Sequence, residues 1–285
     1  MNTLCYLILS VCLSAGRNIV TKKTAVAAGT AAQFYYSQTA LFASATLLLL
    51  ILSGGIPTHA SYITVLLGLA YGVLLILSQW MLTKAMAKGS TSMCSVVYSM
   101  GFLLPTVSGV LFWSETFTVF HVAGVLVAVA VILLSAKKDP VQKHTGKSFI
   151  VYILVAAAAS GGLGILQKLQ QSTPAAGEKK LFLLIAFTLA FVCSAVRFFL
   201  CKEKAGAHKA NTVFPAITGF LFGGANFCNT VLAGQMKSAV FFPVQNVSTI
   251  LISTALGFLL FREKLTLRAA GVILLGILVI ILFSI

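Results

Sequence analysis

Residues 109–118 read GVLFWSETFT, and residues 257–266 read GFLLFREKLT. Both segments close an apolar run with a glycine, a glutamate six residues later and a threonine three residues beyond the glutamate. Each is followed by a further apolar run that opens near a glycine, Gly124 in one case and Gly271 in the other. The recurrence predicts that the chain contains two related halves, each with this turn between two helices.

The composition indicates a membrane protein. Of the 285 residues, 59% are hydrophobic and only 9% are charged, and the mean hydropathy is +1.02. Soluble domains carry about 25% charged residues, which keep their surfaces in water. The apolar residues form runs of about twenty, the length that crosses a hydrocarbon core of about 30 Å as a helix. We expect about ten transmembrane helices, at approximately residues 3–21, 34–53, 62–83, 92–113, 118–136, 149–167, 181–200, 213–235, 238–260 and 267–285.

The longest polar break, residues 137–148, divides these segments into two halves of five, residues 1–136 and 149–285. The first segment lacks the basic start of a signal peptide, so we count it as a helix of the first half. Because five is odd, the two copies are expected to cross the membrane in opposite senses, like the inverted repeats of secondary transporters. The first and sixth segments match at corresponding positions: Gly16, Ile19 and Lys22 against Gly162, Ile165 and Lys168.

This pattern of two five-helix halves, each with the glycine–glutamate–threonine turn, resembles the ten-helix EamA-like branch of the drug/metabolite transporter superfamily. The resemblance covers essentially the whole chain. It implies an all-α inverted-repeat bundle with a central cavity and alternating access, and a cargo among amino acids, nucleotide sugars, sugar phosphates, choline-like amines and drugs. The small four-helix relatives couple cationic drugs to protons through a glutamate in the first helix. The first helix here carries Arg17 and Asn18 and no acid, which argues against that mode of export.

The distribution of charge predicts an orientation. The net charge of +15 comes from basic residues that stand singly or in short groups between the apolar runs, which is typical of membrane loops rather than of nucleic-acid binding. Alternate loops hold 16 and 4 basic residues. The positive-inside rule then places both termini outside the cytoplasm, whereas members of the superfamily are usually drawn with both inside. We expect a multi-pass protein of a bacterial plasma membrane.

Polar side chains within the predicted helices are the candidates for a substrate site, because they are costly in lipid and tend to face a cavity. The eighth helix offers Asn226 and Asn229, and the ninth offers Gln245 and Asn246. For Asn226 and Asn246, substrate binding and hydrogen bonding between helices stay equally open. For the glycines on the same helix faces, such as Gly219, close helix packing is the favoured interpretation.

Aromatic and basic side chains complete the candidate set. Tyr71 and Gln79 in the third helix and Tyr98 in the fourth would suit a small zwitterion, an amine or a nucleobase-like ring. A position at the membrane interface is the alternative for Tyr98. Arg17, with Asn18 beside it, would either anchor an anionic substrate or place its charge at the lipid headgroups.

The remaining charged and proline residues have structural interpretations. Lys168 is expected to extend its charge to the headgroups, with an anion anchor as the alternative. Glu115 and Glu263 are expected to hold their helix turns through local bonds, with no part in transport. Pro105 and Pro243 are expected to kink or unwind their helices, because proline removes a backbone hydrogen bond.

The chemistry-bearing residues argue against an enzyme. The six cysteines form no CxxC pair, and the four histidines are far apart in sequence, so we expect no metal and no cofactor. We expect a secondary transporter of a small polar metabolite, amino acids first, with the lipid bilayer and a small-molecule substrate as partners. It would act as a monomer or homodimer. The alternatives are a flippase or carrier for an anionic lipid or a phosphate-bearing metabolite, and a membrane subunit that does not transport.

Overall fold

The computed structural model describes residues 2–24, 31–55, 60–88, 91–135, 147–201, 212–261 and 267–284. Within these ranges the secondary structure is helical, without a strand. Two 3-10 turns, Met100–Phe102 and Ala176–Glu178, separate consecutive helices. The helices are α1 Thr3–Thr24, α2 Ala31–Ser53, α3 Tyr62–Lys88, α4 Thr91–Ser99, α5 Leu103–Trp113, α6 Val119–Ser135, α7 Lys147–Ser172, α8 Lys179–Leu200, α9 Val213–Gln235, α10 Ser238–Phe261 and α11 Leu267–Ser284.

The helices have the length and hydropathy of membrane spans. In the described part of the chain, 8 helical segments are long and apolar enough to cross a membrane, and α4 and α5 together supply one of them. The apolar parts of α6 and α11, Val119–Leu134 and Ala270–Phe283, are shorter. This is the architecture of an all-helical polytopic membrane protein, as the composition predicted.

The chain divides into two compact units. Unit 1 comprises Met1–Val73 and Gln170–Val231, and unit 2 comprises Leu74–Leu169 and Leu232–Ile285. Each unit therefore draws on both of the halves that the sequence predicts. The linker predicted at 137–148 lies outside the described residues, apart from its last two positions, which begin α7.

In unit 1 the glycines allow helices to pack closely. A methyl group on Gly72 of α3 would lie 2.9 Å from the Ala186 carbonyl oxygen of α8. A methyl group on Gly219 of α9 would lie 2.8 Å from the Leu41 carbonyl carbon of α2. Such contacts are the usual way in which helices attract one another in lipid, where no hydrophobic effect drives them together. The packing interpretation of Gly219 is thus confirmed.

In unit 2 the predicted single helix 92–113 is broken, because a 3-10 turn separates α4 from α5. Pro105 explains the break, since it has no N–H to donate to the Gly101 carbonyl and its ring crowds that oxygen. The Gly101 carbonyl instead faces α7, where a methyl group on Gly161 would lie 2.5 Å from it. At Pro243 the span is not unwound, because α10 continues through it as a helix, while the kink predicted there stays a prediction.

Candidate functional site

The buried polar centre of unit 1 joins two of the sequence-predicted residues. The Tyr71 hydroxyl of α3 donates a 2.6 Å hydrogen bond to Asn226 Oδ1 of α9, and the two residues are only 1% and 7% exposed. Asn226 Nδ2 donates to the Phe222 carbonyl one turn earlier, at 2.8 Å. The Tyr71 ring packs edge-on against Phe182, with the ring centroids 5.0 Å apart. An amide and a phenol are thus held in fixed orientations within apolar helices.

Arg17 is linked to this centre by Phe222, which contacts both Arg17 and Asn226. The Arg17 guanidinium carbon of α1 is 3.8 Å from the ring centroid of Phe222, the residue whose carbonyl accepts from Asn226. Phe222 is 8% exposed, so the ring supports a cation in a partly desolvated setting, where cation–π attraction is strongest. Asn18, by contrast, is exposed. Through Phe222, the structure therefore associates Arg17 with Asn226 and, by way of the Tyr71–Asn226 hydrogen bond, with Tyr71.

The fifth candidate of unit 1, Asn229, forms a contact that sequence reasoning missed. Its Oδ1 accepts a short hydrogen bond from the hydroxyl of Ser10, a fully buried residue of α1. A serine in an apolar helix carries little signal of its own, because it can bond to its own backbone. Only the fold brings Ser10 next to Asn229, which is 219 residues away in sequence.

In unit 2, Asn246 compensates for the break between α4 and α5. The Leu103 N–H points to the Met100 carbonyl in the 3-10 turn rather than to Ser99, its partner in a regular α-helix. Asn246 Nδ2 of α10 donates to the Ser99 carbonyl at 3.1 Å. A carbonyl left without a partner in lipid would cost several kcal/mol. Asn246 is therefore a structural partner of the broken span.

The other candidates of unit 2 have separate environments. Gln245 is buried on α10, with 8% of its surface exposed, and its carbonyl accepts from the Thr249 hydroxyl at 2.8 Å. Tyr98 packs against a buried cluster that includes Cys94 and Phe149. Gln79 is half-buried on α3. The contacts of Tyr98 with this cluster are packing contacts, and a substrate role for it stays a prediction.

The turn after α5 bears on two sequence expectations. Lys168 Nζ of α7 lies 3.0 Å from Glu115 Oε1, and their side chains are only 12% and 7% exposed. Lys168 also donates to the Met236 carbonyl at 3.1 Å. The predicted headgroup position of Lys168 is therefore wrong, because its charge is paired inside the protein. Its counterpart by sequence, Lys22, has a side chain outside the described residues.

The sequence predicts local bonds for Glu115, and its N–H does donate to the Gly109 carbonyl within the turn at 3.1 Å. Its carboxylate, however, reaches the start of α10. Its Oε2 accepts from the Ala239 N–H at 3.0 Å, which satisfies one of the free donors at that helix N-terminus. Gly109 makes room for the carboxylate, since a methyl group there would also meet Ser238 Cβ at 2.9 Å. This explains the fixed spacing of the glycine and the glutamate. Glu263 of the second turn lies outside the described residues.

The electrostatics of Glu115 favour its charged form. Burial by itself would raise the pKa of this carboxyl, but the backbone N–H groups of Ala239 and Ser238 and the Lys168 ammonium outweigh burial. They hold the pKa of Glu115 below its ordinary value of 4.5. Glu115 is therefore a charged brace between helices and is not poised to exchange protons near neutral pH.

Metal chemistry finds no support in the described ranges. No group of three or more His, Cys, Asp or Glu side chains there could hold a metal ion. All six cysteines are free thiols, and Cys94 and Cys228 are buried.

Comparisons with known proteins establish the fold and no family. No known family profile matches the sequence, and no curated protein is significantly similar to it. Among solved structures 28 chains match. One of them, the crystal structure of a protein, covers 99% of this chain and 98% of its own, with a TM-score of 0.79 and 12% sequence identity. At that identity the similarity shows that the two chains share a fold over their whole length.

Proposed function

We propose that the chain is a secondary transporter that moves a small polar metabolite, an amino acid or a related compound, across a bacterial plasma membrane by alternating access. In the same proposal ten helices cross the membrane as two inverted five-helix repeats. The related turns at 109–118 and 257–266 support the repeats. The observation that carries the function is the buried Tyr71–Asn226 hydrogen bond within apolar helices.

The polarity of this centre suits both a hydrogen bond between helices and a substrate site. An apolar pair of similar volume would be cheaper to bury, because polar groups in lipid must satisfy each other without help from water. Intramembrane polar residues that persist at this cost tend to face a substrate pathway. An aromatic hydroxyl, an amide and a nearby guanidinium together suit a ligand with both a polar and a charged group.

The two acids among the described residues are both engaged with partners. Glu115 lies outside the long apolar segments, and Glu178 lies near the start of the segment Ala176–Leu200. Glu115 is engaged with Lys168 and Ala239, and Glu178 Oε2 accepts from the Ser61 N–H at 3.0 Å. We propose facilitated diffusion or exchange as modes of transport on an equal footing with proton coupling.

Arg17 supports a second candidate, a flippase or carrier for an anionic lipid or a phosphate-bearing metabolite. Its guanidinium is fixed over a mostly buried ring, and guanidinium groups bind carboxylates and phosphates through two hydrogen bonds. The two candidates differ in the size of the cargo and in the anion that Arg17 would contact.

The binding test is a thermal-shift screen of the purified protein in neutral detergent against amino acids, amines, nucleobases and sugar phosphates. A ligand that binds only the folded state stabilises it by about 2.7 kcal/mol at a hundredfold excess over Kd. We expect stabilisation by one class of amino acid or related compound. Stabilisation by phosphate-bearing compounds alone would favour the second candidate.

Variants separate binding from packing. Tyr71→Phe removes only the hydroxyl that bonds to Asn226, and we expect it to weaken ligand binding about tenfold, the usual value of a lost hydrogen bond to a ligand-facing group. Ser78→Ala is the matched control, because Ser78 is a fully buried hydroxyl of the same helix that bonds to its own backbone, at Leu75. Equal ligand affinity in the two variants and the wild type would contradict the assignment of Tyr71 to the site.

A further inference from the structure

Two lysines of α3 lie over one tyrosine of α7. Lys84 Nζ and Lys88 Nζ are 5.7 Å and 5.0 Å from the ring centroid of Tyr152. Lys88 also donates to the Ser148 hydroxyl at 3.0 Å. Lys84 and Lys88 are one helical turn apart, as are Ser148 and Tyr152, so two facing helix edges present these four groups together.

The platform beneath the lysines is rigid. Ala85, Cys94, Phe149 and Ile153 are buried there, at most 2% exposed, and Tyr152 packs against them. Both lysines and Ser148 are exposed. The ring therefore fixes where the two ammonium groups lie, while their outer sides stay accessible.

This surface lies where the apolar helices leave the membrane. The apolar window of α3 ends at Met86, and that of α7 begins at Ser148. Tyrosine and lysine side chains at such positions sit at the level of the lipid headgroups. Headgroup phosphates are thus the anions that the bilayer itself presents to Lys84 and Lys88.

The described residues supply no competing acid at this surface. Glu115 is bound to Lys168, about 30 Å further along α7 from Ser148 at 1.5 Å per residue. The Glu178 carboxylate accepts from the Ser61 N–H at 3.0 Å. Two exposed ammonium groups beside one ring, with no described carboxylate at this surface, are available to an anion from outside this part of the chain.

We propose that Lys84, Lys88, Ser148 and Tyr152 form a binding site for the phosphate headgroup of an anionic phospholipid. The two ammonium groups contact the phosphate oxygens, the Ser148 hydroxyl adds a polar group at its edge, and the Tyr152 ring positions the lysine stems. The site is distinct from the proposed substrate centre around Tyr71 and Asn226, and it does not depend on the transport assignment.

The test is native mass spectrometry of the protein in neutral detergent, titrated with phosphatidylglycerol or with phosphatidylcholine of the same chain length. We expect the wild type to retain phosphatidylglycerol selectively. Lys84→Gln/Lys88→Gln should weaken that binding roughly 25-fold, since each basic residue near an anionic lipid contributes about fivefold. Lys84→Arg/Lys88→Arg should keep it.

The matched control is Lys179→Gln/Lys180→Gln, which removes two neighbouring lysines from the first turn of α8. We expect this variant to bind phosphatidylglycerol like the wild type. The proposal would be overturned if Lys84→Gln/Lys88→Gln bound phosphatidylglycerol as tightly as the wild type does. It would also be overturned if the control lost as much phosphatidylglycerol affinity as Lys84→Gln/Lys88→Gln. Displacement of the lipid by millimolar inorganic phosphate would also overturn it, in favour of a site for free phosphate.

Discussion

The brace formed by Glu115 and Lys168 should account for a large part of the stability of unit 2. Both side chains are almost fully buried, and the carboxylate binds the Lys168 ammonium and the Ala239 N–H at 3.0 Å each. Glu115→Gln keeps an oxygen for the helix N-terminus but removes the carboxylate charge that pairs with the buried Lys168 ammonium. Removing one partner of a buried ion pair costs about 3–5 kcal/mol, so we expect a loss of that size.

The reverse variant should cost less. Lys168→Met leaves the Glu115 carboxylate bound to the backbone at the start of α10, so part of its charge stays compensated. We expect a loss of about 1–3 kcal/mol. The double variant should lose less than the sum of the two single losses, with a coupling of about 1–3 kcal/mol, because each single variant leaves a buried charge that the double variant removes.

The assay is unfolding in mixed micelles with rising sodium dodecyl sulfate, followed by circular dichroism. Glu178→Gln is the matched control, since Glu178 also caps a helix N-terminus, at Ser61, but is in no ion pair with another described residue. It should cost about 1 kcal/mol, the usual value of a cap. Strictly additive losses in Glu115→Gln and Lys168→Met, or a loss in Glu115→Gln no larger than in Glu178→Gln, would refute the reasoning.

The same pair predicts a pH dependence. Because the pKa of Glu115 is lowered on folding, its stabilisation is fully present above the ordinary value of 4.5 and is lost as the pH falls through the lowered value. The gap in unfolding free energy between the wild type and Glu115→Gln should therefore be constant from pH 8 to pH 6 and narrow below about pH 4.5. If the difference in unfolding free energy between the wild type and Glu115→Gln did not change with pH, the charge of the Glu115 carboxylate would not be what stabilises the folded protein.

Two further changes test the packing and the broken span. Gly161→Ala should lower the free energy of unfolding by about 1–3 kcal/mol, because its methyl group would lie 2.5 Å from the Gly101 carbonyl oxygen. The control is Gly271→Ala, whose methyl group would have no atom within 4 Å. In the same unfolding assay it should be neutral or slightly stabilising. Asn246→Ala should lower the free energy of unfolding by about 1–3 kcal/mol, because the Ser99 carbonyl loses its side-chain donor. An unchanged unfolding midpoint would mean that this carbonyl has another partner.

The helices and their membrane character could be predicted from the sequence, because a long apolar run in lipid has essentially one way to satisfy its backbone. The break at Met100–Phe102 could be anticipated only as a proline effect at Pro105. Its exact form depends on the Gly101–Gly161 contact, which joins residues of different helices. The glycine–glutamate turn was visible as a repeat, yet the function of its spacing became clear only from the position of Ser238 and Ala239 on α10.

The candidate residues were predictable singly, and their partners were not. Tyr71 and Asn226 are both conspicuous as polar groups in apolar runs, but nothing in the sequence pairs residues 155 positions apart. Ser10 and Phe222 gave no signal, since serine and phenylalanine are ordinary in such helices. Periodicity defines which face of a helix a residue occupies, whereas neighbouring helices decide what that face meets.

The most direct test of the transport proposal is flux into liposomes that contain the purified protein. Radiolabelled compounds of the class that stabilises the protein are supplied outside, with or without the unlabelled compound inside. We expect saturable uptake, and we expect the unlabelled compound inside the liposomes to accelerate it. Asn226→Ala should reduce the uptake rate at least tenfold, whereas Ser78→Ala should leave it unchanged. Uptake no greater than in protein-free liposomes for every class of compound would contradict the proposal that this chain is a transporter.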